Sequence, residues 1–400
     1  MMDYTLSPDS CGALQLPVVR IHLDAIRDNW HFLARKAEEA GLASSSMVAM
    51  VKADAYGHGL LPVCKTLVDA GARTFGVGSV AEGVHLHKAF GQQPARILAM
   101  LGLTCPAEAA EAARCGIMPL LSTIEHIRWF SQAANALKRT EPLPVAIKLE
   151  TGMARLGVRS SEMAAFTSAL RANQVLKPVM AVSHLAAADD PHGDESVREQ
   201  VSCFAKALKI LRAVWPDITP SLANSPAFLA HTATLAPIGP HAPRPGFAIY
   251  GGNPLASTPR EELGSALLPA MEYTAPVLAV HNLEQGETVS YGKTFTASSP
   301  MRIAVIGAGY ADGMARTLSG KGFVCLHSLR APVLGRVCMQ MHVVDVSHIP
   351  ATVPGDRAFL LGGDGNGRIT PEELAAAWGT IPYEVFCILG KNAREYLGGA

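Results

Sequence analysis

Short apolar runs of strand length alternate with amphipathic stretches of helical period along the first two thirds of the chain. Residues 47–51, MVAMV, form a continuous apolar run, the pattern of a strand buried on both faces of a parallel sheet. Further runs at 74–78, 96–101, 117–121, 145–149, 179–184, 220–224 and 244–249 bring the total to eight. Between them, residues 124–138, 161–172 and 195–214 carry apolar positions three and four apart, as core-facing helices do. Strand and helix repeated eight times predict an α/β fold, a parallel (β/α)8 TIM-type barrel. A doubly wound open sheet shares this local pattern and stays open as an alternative on periodicity alone. Ahead of the eight, residues 18–23 read as a short strand and 24–39 as a helix with Asp24 placed to cap it.

The pattern changes after the eighth run. Residues 253–263 are rich in Pro, Ser, Thr and charge and read as a linker. Beyond them, strand-like runs at 275–281, 287–290, 301–306, 322–327, 331–337, 342–346 and 358–361, separated by Gly and Pro, predict a β-rich C-terminal domain. One late helix over 371–378 is announced by Thr370-Pro371-Glu372-Glu373, a capping-box sequence with proline in the first turn. The division places a barrel in residues 1–255, with 1–17 a pairing or disordered extension, and a β-domain in 256–400.

Composition narrows the partners. Lys+Arg and Asp+Glu both number 34, and a chain without net charge argues against nucleic acid or an anionic membrane as the main partner. The 49% hydrophobic content is broken into short runs, none of membrane-spanning length, so a soluble protein is expected. The N-terminus has neither a basic start nor an apolar core, so no export signal is read and a cytoplasmic location is expected. Eight cysteines without a CxxC pair suit reduced thiols.

Candidate chemistry collects at strand ends. Lys52 closes the 47–51 run and is followed by Asp54, Tyr56 and two glycines. The fifth run ends in Lys148, with Arg155 and Gly157 shortly after; the sixth ends in Ser183-His184 with Asp189 beyond. Asn224 and Ser225 end the seventh, and the eighth opens Arg244-Pro-Gly246-Phe247. A barrel gathers such positions at one end. A lysine, cationic and imidazole groups, a serine and a glycine backbone step together suit an anionic phosphate cofactor that carries an aldehyde. Singly, each also has a structural role: Ser225 as a helix cap, Gly246 as a turn, His184 as a core histidine, Lys52 as a strand-end lysine reaching for water.

Metal signals are weak. GGDGNGRITPEE imitates a calcium loop, but Gly362 stands where the first carboxylate belongs, and a glycine hairpin before a capped helix is expected there. Cys325-x-His327 and His85-x-His87 offer two ligands each, too few for zinc, so no metal is expected.

The blocks VKADAYGHG, KLETGMARLG, SHLAAADD, ANS, RPGFAIYG, VSYGKTF, GYADG, GRVCMQM and IPYEV, in this order between about Val18 and Glu384, resemble those of the bacterial alanine racemase family, fold-type III pyridoxal-phosphate enzymes. The resemblance implies pyridoxal 5'-phosphate as cofactor, a barrel followed by a β-domain, and a head-to-tail homodimer whose active sites take residues from both subunits. Racemisation requires an electron sink and two bases, because a single base would only exchange the proton on one face. By resemblance Lys52 is the Schiff-base lysine and the base for the D-enantiomer, and Tyr291 of the partner subunit is the base for the L-enantiomer. Arg244 meets the pyridine nitrogen and His184 orients Arg244. Tyr56, Ser225 with its neighbour Asn224, the backbone of Gly246 and Phe247, and Tyr383 belong to the cofactor's binding set. Arg155 and the backbone of Met339 of the partner subunit bind the substrate carboxylate, Lys148 matches a lysine carried as a carbamate, and Asp189, Tyr310, Arg316, Arg336 and Ile381 line the entrance corridor.

One position departs from the family: Gln340 in GRVCMQM stands where an aspartate is usual, which removes a negative charge beside Met339. The implied activity is interconversion of L- and D-alanine, supplying D-alanine for peptidoglycan. The alternatives are a broader amino-acid or serine racemase, a decarboxylase or lyase of the same fold, and a cofactor-binding regulatory protein. Arg244 and Tyr291 argue against the decarboxylase, since such enzymes usually offer the ring nitrogen a carboxylate; Lys52 and Tyr291 together argue against the regulatory protein.

Overall fold

The computed structural model describes residues 17–91, 96–138 and 140–399, so the expected N-terminal extension lies, but for Pro17, outside the described residues. The described residues pack as two compact units, one within 26–55 and 60–268, the other of 17–25, 56–59 and 269–399.

Strand β1 (Val18–His22) falls in the second unit. The first unit is built on β2 (Ala49–Met50), β3 (Thr74–Val77), β4 (Arg96–Ala99), β5 (Met118–Leu121), β6 (Leu143–Lys148), β7 (Leu176–Val182) and β8 (Thr219–Ser221). They pair in parallel and in simple chain order from β2 to β8. A doubly wound sheet reverses its strand order at a switch point, so this order excludes it.

The expected eighth strand over 244–249 is not regular. Phe247–Tyr250 is a 3₁₀ turn, and residues 242–245 carry the closure instead. Val48 N–H donates to the Pro243 carbonyl (2.8 Å) and Met50 N–H to that of Pro245 (3.0 Å). On the other side, Ala242 N–H donates to Pro220 (2.9 Å) and Arg244 N–H to Ala223 (2.9 Å). Pro243 and Pro245 have no N–H to return, so the stave accepts from β2's edge without forming a regular ladder. The barrel closes all the same.

Helices cover the sheet as their patterns require. The Asp194–Arg212 helix buries Val197, Val201, Phe204, Leu208 and Leu211, each worth about 1.5–3 kcal/mol when fully buried. The first helix runs Leu23–Glu39, one residue earlier than expected, so Asp24 lies in its first turn and favours the helix dipole instead of capping.

The second unit is a mainly antiparallel sheet: β9 (Met271–Leu283), then the short pair β10 (Thr288–Val289) and β11 (Phe295–Thr296), β12 (Met301–Ile306), β13 (Phe323–Leu326), β14 (Leu329–Leu334), β15 (His342–Asp345), β16 (Arg357–Leu361) and β17 (Arg394–Leu397). Its main order is β12-β15-β14-β13-β16-β9-β1-β17, and β12 also pairs with the long β9, which curls the sheet onto itself. The 18–23 strand, expected with the barrel, therefore lies between β9 and β17, and the Tyr56–Gly59 segment also groups with this unit. The helix Pro371–Trp378 forms where expected, with Thr370 Oγ1 accepting from Glu373 N–H at 3.2 Å. The Glu373 carboxylate pairs with Arg330. In the glycine-rich segment before it, Gly362 and Ile369 bond across a hairpin and Asp364 accepts from the Ser328 hydroxyl.

Candidate active site

Lys52 is an exposed residue directly after a fully buried run. The end of that run is fixed by Tyr250, whose buried hydroxyl donates to the Met50 carbonyl at 2.9 Å. The turn after the lysine is unusual: Ala53, Asp54, Ala55 and Tyr56 all have φ of +53 to +54°, one turn of left-handed helix made without glycine. Each such residue costs roughly 1–2 kcal/mol, so the neighbours must hold it. Glu82 does part of this, taking Ala53 N–H on one carboxylate oxygen (2.8 Å) and Gly78 N–H on the other (2.6 Å). Asp54 Oδ1 accepts from Leu60 N–H at 2.7 Å and steadies the start of the next helix.

Arg244 is the buried anchor of the barrel's strand ends. Its Nη1 donates to the Ser221 carbonyl (2.6 Å) and hydroxyl (2.8 Å), and its Nη2 to the Ser183 carbonyl (2.5 Å) and to His184 Nδ1 (3.4 Å). Burial, then the Arg244, Lys148, Arg155 and Lys52 cations, push the His184 imidazole down to about 2. The ring is therefore neutral at any working pH. Nδ1 accepts from the guanidinium, which leaves the ring proton on Nε2. Lys148, at the end of β6, is driven down to about 7 by burial first and then by Arg244 and Arg155, with Glu150 opposing. Five predicted residues, Lys52, Lys148, Arg155, His184 and Arg244, thus share one electrostatic neighbourhood. Beside them Ser225 Oγ accepts from Gly246 N–H (2.9 Å) and Ala248 N–H (3.4 Å), and Asn224 caps the short helix that begins at Ser225.

The loop that carries Arg155 is wrapped around one carboxylate. Glu150 accepts from the N–H groups of Gly152 (2.5 Å), Met153 (2.7 Å) and Arg155 (3.1 Å). Burial alone would raise its pKa, but these backbone donors outweigh it and hold the acid below its ordinary range. Gly157 closes the loop at φ +134°, where a Cβ would stand 2.5 Å from the backbone of Leu149 and Glu150. Beneath lies a buried polar network: Gln200 Nε2 donates to the His184 carbonyl (2.9 Å) and Thr151 Oγ1 (3.3 Å), its Oε1 accepts from Ala186 N–H (2.9 Å), and Thr151 bonds Ser183 (2.7 Å). No motif marks Gln200, Ser221 or Glu82 as functional in the sequence, and Thr151 stands in the KLETGMARLG block without a role read for it. A glutamine on the buried face of the Asp194–Arg212 helix was the one signal available.

The remaining predicted residues, Phe247 and Asp189 apart, belong to the second unit. Tyr56 and Tyr383 stand with ring centroids 6.1 Å apart. Tyr310 N–H bonds the Cys338 carbonyl (3.0 Å) and Ala311 N–H the Met339 carbonyl (2.8 Å), which joins the GYADG and GRVCMQM segments. Ser319, in the turn begun by Arg316, accepts from Val337 N–H beside Arg336. Tyr291 is 72% exposed, Met339 57% and Ile381 59%, large apolar surfaces that this chain leaves uncovered. Gln340 is exposed, as is Asp189 on the barrel unit. The candidate residues thus form two sets, Lys52 in one unit and Tyr291 in the other.

Two family profiles match the chain: "Alanine racemase, N-terminal domain" over residues 21–254 and "Alanine racemase, C-terminal domain" over 270–397. The alanine racemase of Nitratidesulfovibrio vulgaris strain Miyazaki F is 44% identical over 378 residues, 94% of this chain and 97% of that protein. Among solved structures, alanine racemase from D-cycloserine-producing Streptomyces lavendulae superposes with a TM-score of 0.86 at 32% identity, covering 97% of this chain and 98% of that one. That from Bartonella henselae, with covalently bound pyridoxal phosphate, gives 0.83 at 27% identity over 96% and 99%.

Proposed function

The chain belongs to the alanine racemase family, and we propose that it interconverts L- and D-alanine with pyridoxal 5'-phosphate, in the cytoplasm, supplying D-alanine for peptidoglycan. The observation that carries this is the Arg244–His184 pair set beside Lys52: a buried guanidinium, held by carbonyls and a hydroxyl and touching a neutral imidazole. Such a fixed cation suits an aromatic nitrogen that must accept a hydrogen bond without becoming protonated, because guanidinium keeps its proton. When bound, the cofactor supplies the electron sink that acidifies the amino acid's α-hydrogen.

The chain's own residues do the rest. Lys52 would hold the cofactor, and its amine would handle the α-proton on the D face. Tyr291 of the partner subunit handles the opposite face. By the family resemblance, Ser225, the Gly246 and Phe247 backbone, Tyr56 and Tyr383 would hold the phosphate. Arg155, presented by the Glu150 loop, takes the substrate carboxylate together with the backbone of Met339 of the partner subunit. The exposure of Tyr291, Met339 and Ile381 supports a head-to-tail homodimer that covers them. Among the described residues no helix is long and apolar enough to cross a membrane.

Lys148 is assigned as a carbamate. An amine whose pKa is near 7 is largely neutral at mildly alkaline pH, and its attack on CO2 forms one N–C bond, opens one C=O π bond to a carboxylate oxygen and releases one proton. The resulting carboxylate turns two facing cations, Lys148 and Arg155, into an attractive pair. With 13C-labelled bicarbonate, a carbamate carbon signal is expected in wild type, stronger above pH 7 than below, and absent from Lys148→Ala. No signal in the wild-type enzyme at pH 8 would remove the assignment.

Gln340 favours a second reading, a racemase of broader range, because no carboxylate flanks the carboxylate-binding Met339. Polarimetry on purified, cofactor-loaded enzyme with each L-amino acid decides between them: rotation is expected to vanish for alanine far faster than for serine. Equal rates would establish the broader enzyme, and no loss of rotation with any amino acid would overturn racemisation.

A further inference from the structure

A proton-transfer group needs orientation as well as identity, and Tyr291 obtains little of it from packing within its own chain, where it is 72% exposed. Within the chain, the backbone on either side supplies it. On one side Val289 is fixed in a hydrophobic cluster with Ile303 and Leu334, packed by Leu283, Phe295, Met301 and Val343. Between that anchor and the tyrosine stands Ser290, at φ +64° and ψ −175°, a conformation that glycine adopts and serine ordinarily avoids. Gly292 and Lys293 follow at φ +71° and +48°, and Lys293 N–H closes the turn onto the Ser290 carbonyl at 3.2 Å.

A single side chain explains why a serine tolerates this. Ser290 Oγ donates to the Arg336 carbonyl at 2.6 Å and lies 3.4 Å from Cys338 Sγ. The two segments abut so closely that a Cβ on Gly335 would stand 2.7 Å from the Val289 carbonyl oxygen and 3.1 Å from Ser290 Cβ. The segment that holds the serine hydroxyl also carries Met339. The same bond therefore couples the placement of Tyr291 to that of the residue assigned to the substrate carboxylate.

We infer that Ser290 is a positioning residue: its hydroxyl, anchored on the Arg336 carbonyl, holds the left-handed turn that aims Tyr291 at one face of the substrate. This rests on Tyr291 being the base for the L-enantiomer. Ser290→Ala removes the anchor and keeps the awkward Cβ; Ser290→Gly removes the anchor and relieves the backbone. If Ser290 mattered only for its strained φ, glycine would restore full activity.

Both variants, as cofactor-loaded enzymes with unchanged visible absorption, are expected to lose about 10²-fold in kcat/KM, the scale of an ångström-sized misplacement. The loss is equal from L- and D-alanine because enantiomers have equal free energy. Substrate isotope effects separate the faces. With L-[2-2H]alanine, where Tyr291 takes the deuteron, the effect on kcat/KM should rise towards its full value; with D-[2-2H]alanine, where Lys52 takes it, the effect should shrink. Crystals of Ser290→Gly should show the Tyr291 ring in more than one orientation. Wild-type kinetics in Ser290→Gly, or isotope effects that move together in both directions, would overturn the inference. Tyr291→Phe is the control for the underlying reading: if it still racemises L-alanine, Tyr291 is not the base, whereas a dead Tyr291→Phe beside a normal Ser290→Gly rejects Ser290 alone.

Discussion

Lys52→Ala is expected to lose the visible absorption of the lysine-bound cofactor and to lower racemisation by more than about 10⁴-fold, the upper contribution of one positioned acid–base group. The loss exceeds that figure because the same amine also holds the cofactor covalently. Lys52 is exposed and follows a strand whose end is pinned by Tyr250, so the substitution should leave the fold intact. Thermal melting of the cofactor-free protein checks this, with an expected change within about 0.5 kcal/mol of wild type. A variant that keeps the wild-type absorption would remove the assignment of Lys52 and the mechanism built on it.

A mixture of two inactive enzymes is expected to recover activity. Lys52 lies in the barrel unit and Tyr291 in the β unit, and the proposed head-to-tail dimer pairs one subunit's lysine with Tyr291 of the partner subunit. Lys52→Ala and Tyr291→Phe homodimers should each be dead, since either lesion stops the two-base cycle in both directions. Refolded together in equal amounts, they form heterodimers in about half of the dimers by random pairing. Each heterodimer holds one doubly damaged site and one with its native lysine and tyrosine, so activity should approach about a quarter of wild type. If each subunit supplied both residues to its own site, every site would carry a lesion. An inactive mixture with heterodimers present by native mass spectrometry would therefore reject the shared site and leave the cofactor assignment standing.

The barrel was readable because buried parallel strands are continuous apolar runs, and β3 to β8 begin within a few residues of where those runs predict. Its eighth stave was misread as a strand because apolar content does not register that Pro243 and Pro245 lack N–H groups. The sheet to which β1 belongs was not readable at all: Val18–His22 has a strand's local pattern whichever sheet takes it, and its partners are remote in the chain. The strand-end residues Lys52, Lys148, His184 and Arg244 were legible from position and from family blocks. Their supports were not, because Glu82, Gln200 and Ser221 are ordinary polar residues whose importance comes from burial and from which carbonyl or amide they meet. The left-handed turn after Lys52 was hidden for a related reason, being made of alanine, aspartate and tyrosine with no glycine to mark it.

The position of β1 between β9 and β17 has a consequence for synthesis on the ribosome. Val18–His22 is synthesised long before its partners, since the antiparallel β9 begins only at Met271 and the parallel β17 at Arg394. At about 5–20 residues per second, the first-made strand waits roughly 10–50 s for the first of these partners. Throughout that interval it carries Val18, Val19 and Ile21, all destined for burial, on a segment with neither edge paired. Such a segment is a ready target for holdase chaperones and for pairing with the wrong chain. The sheet of the second unit therefore cannot complete itself until β17 has left the exit tunnel, and a nascent chain stalled before β9 should be more prone to aggregate than one in which β17 is free to pair.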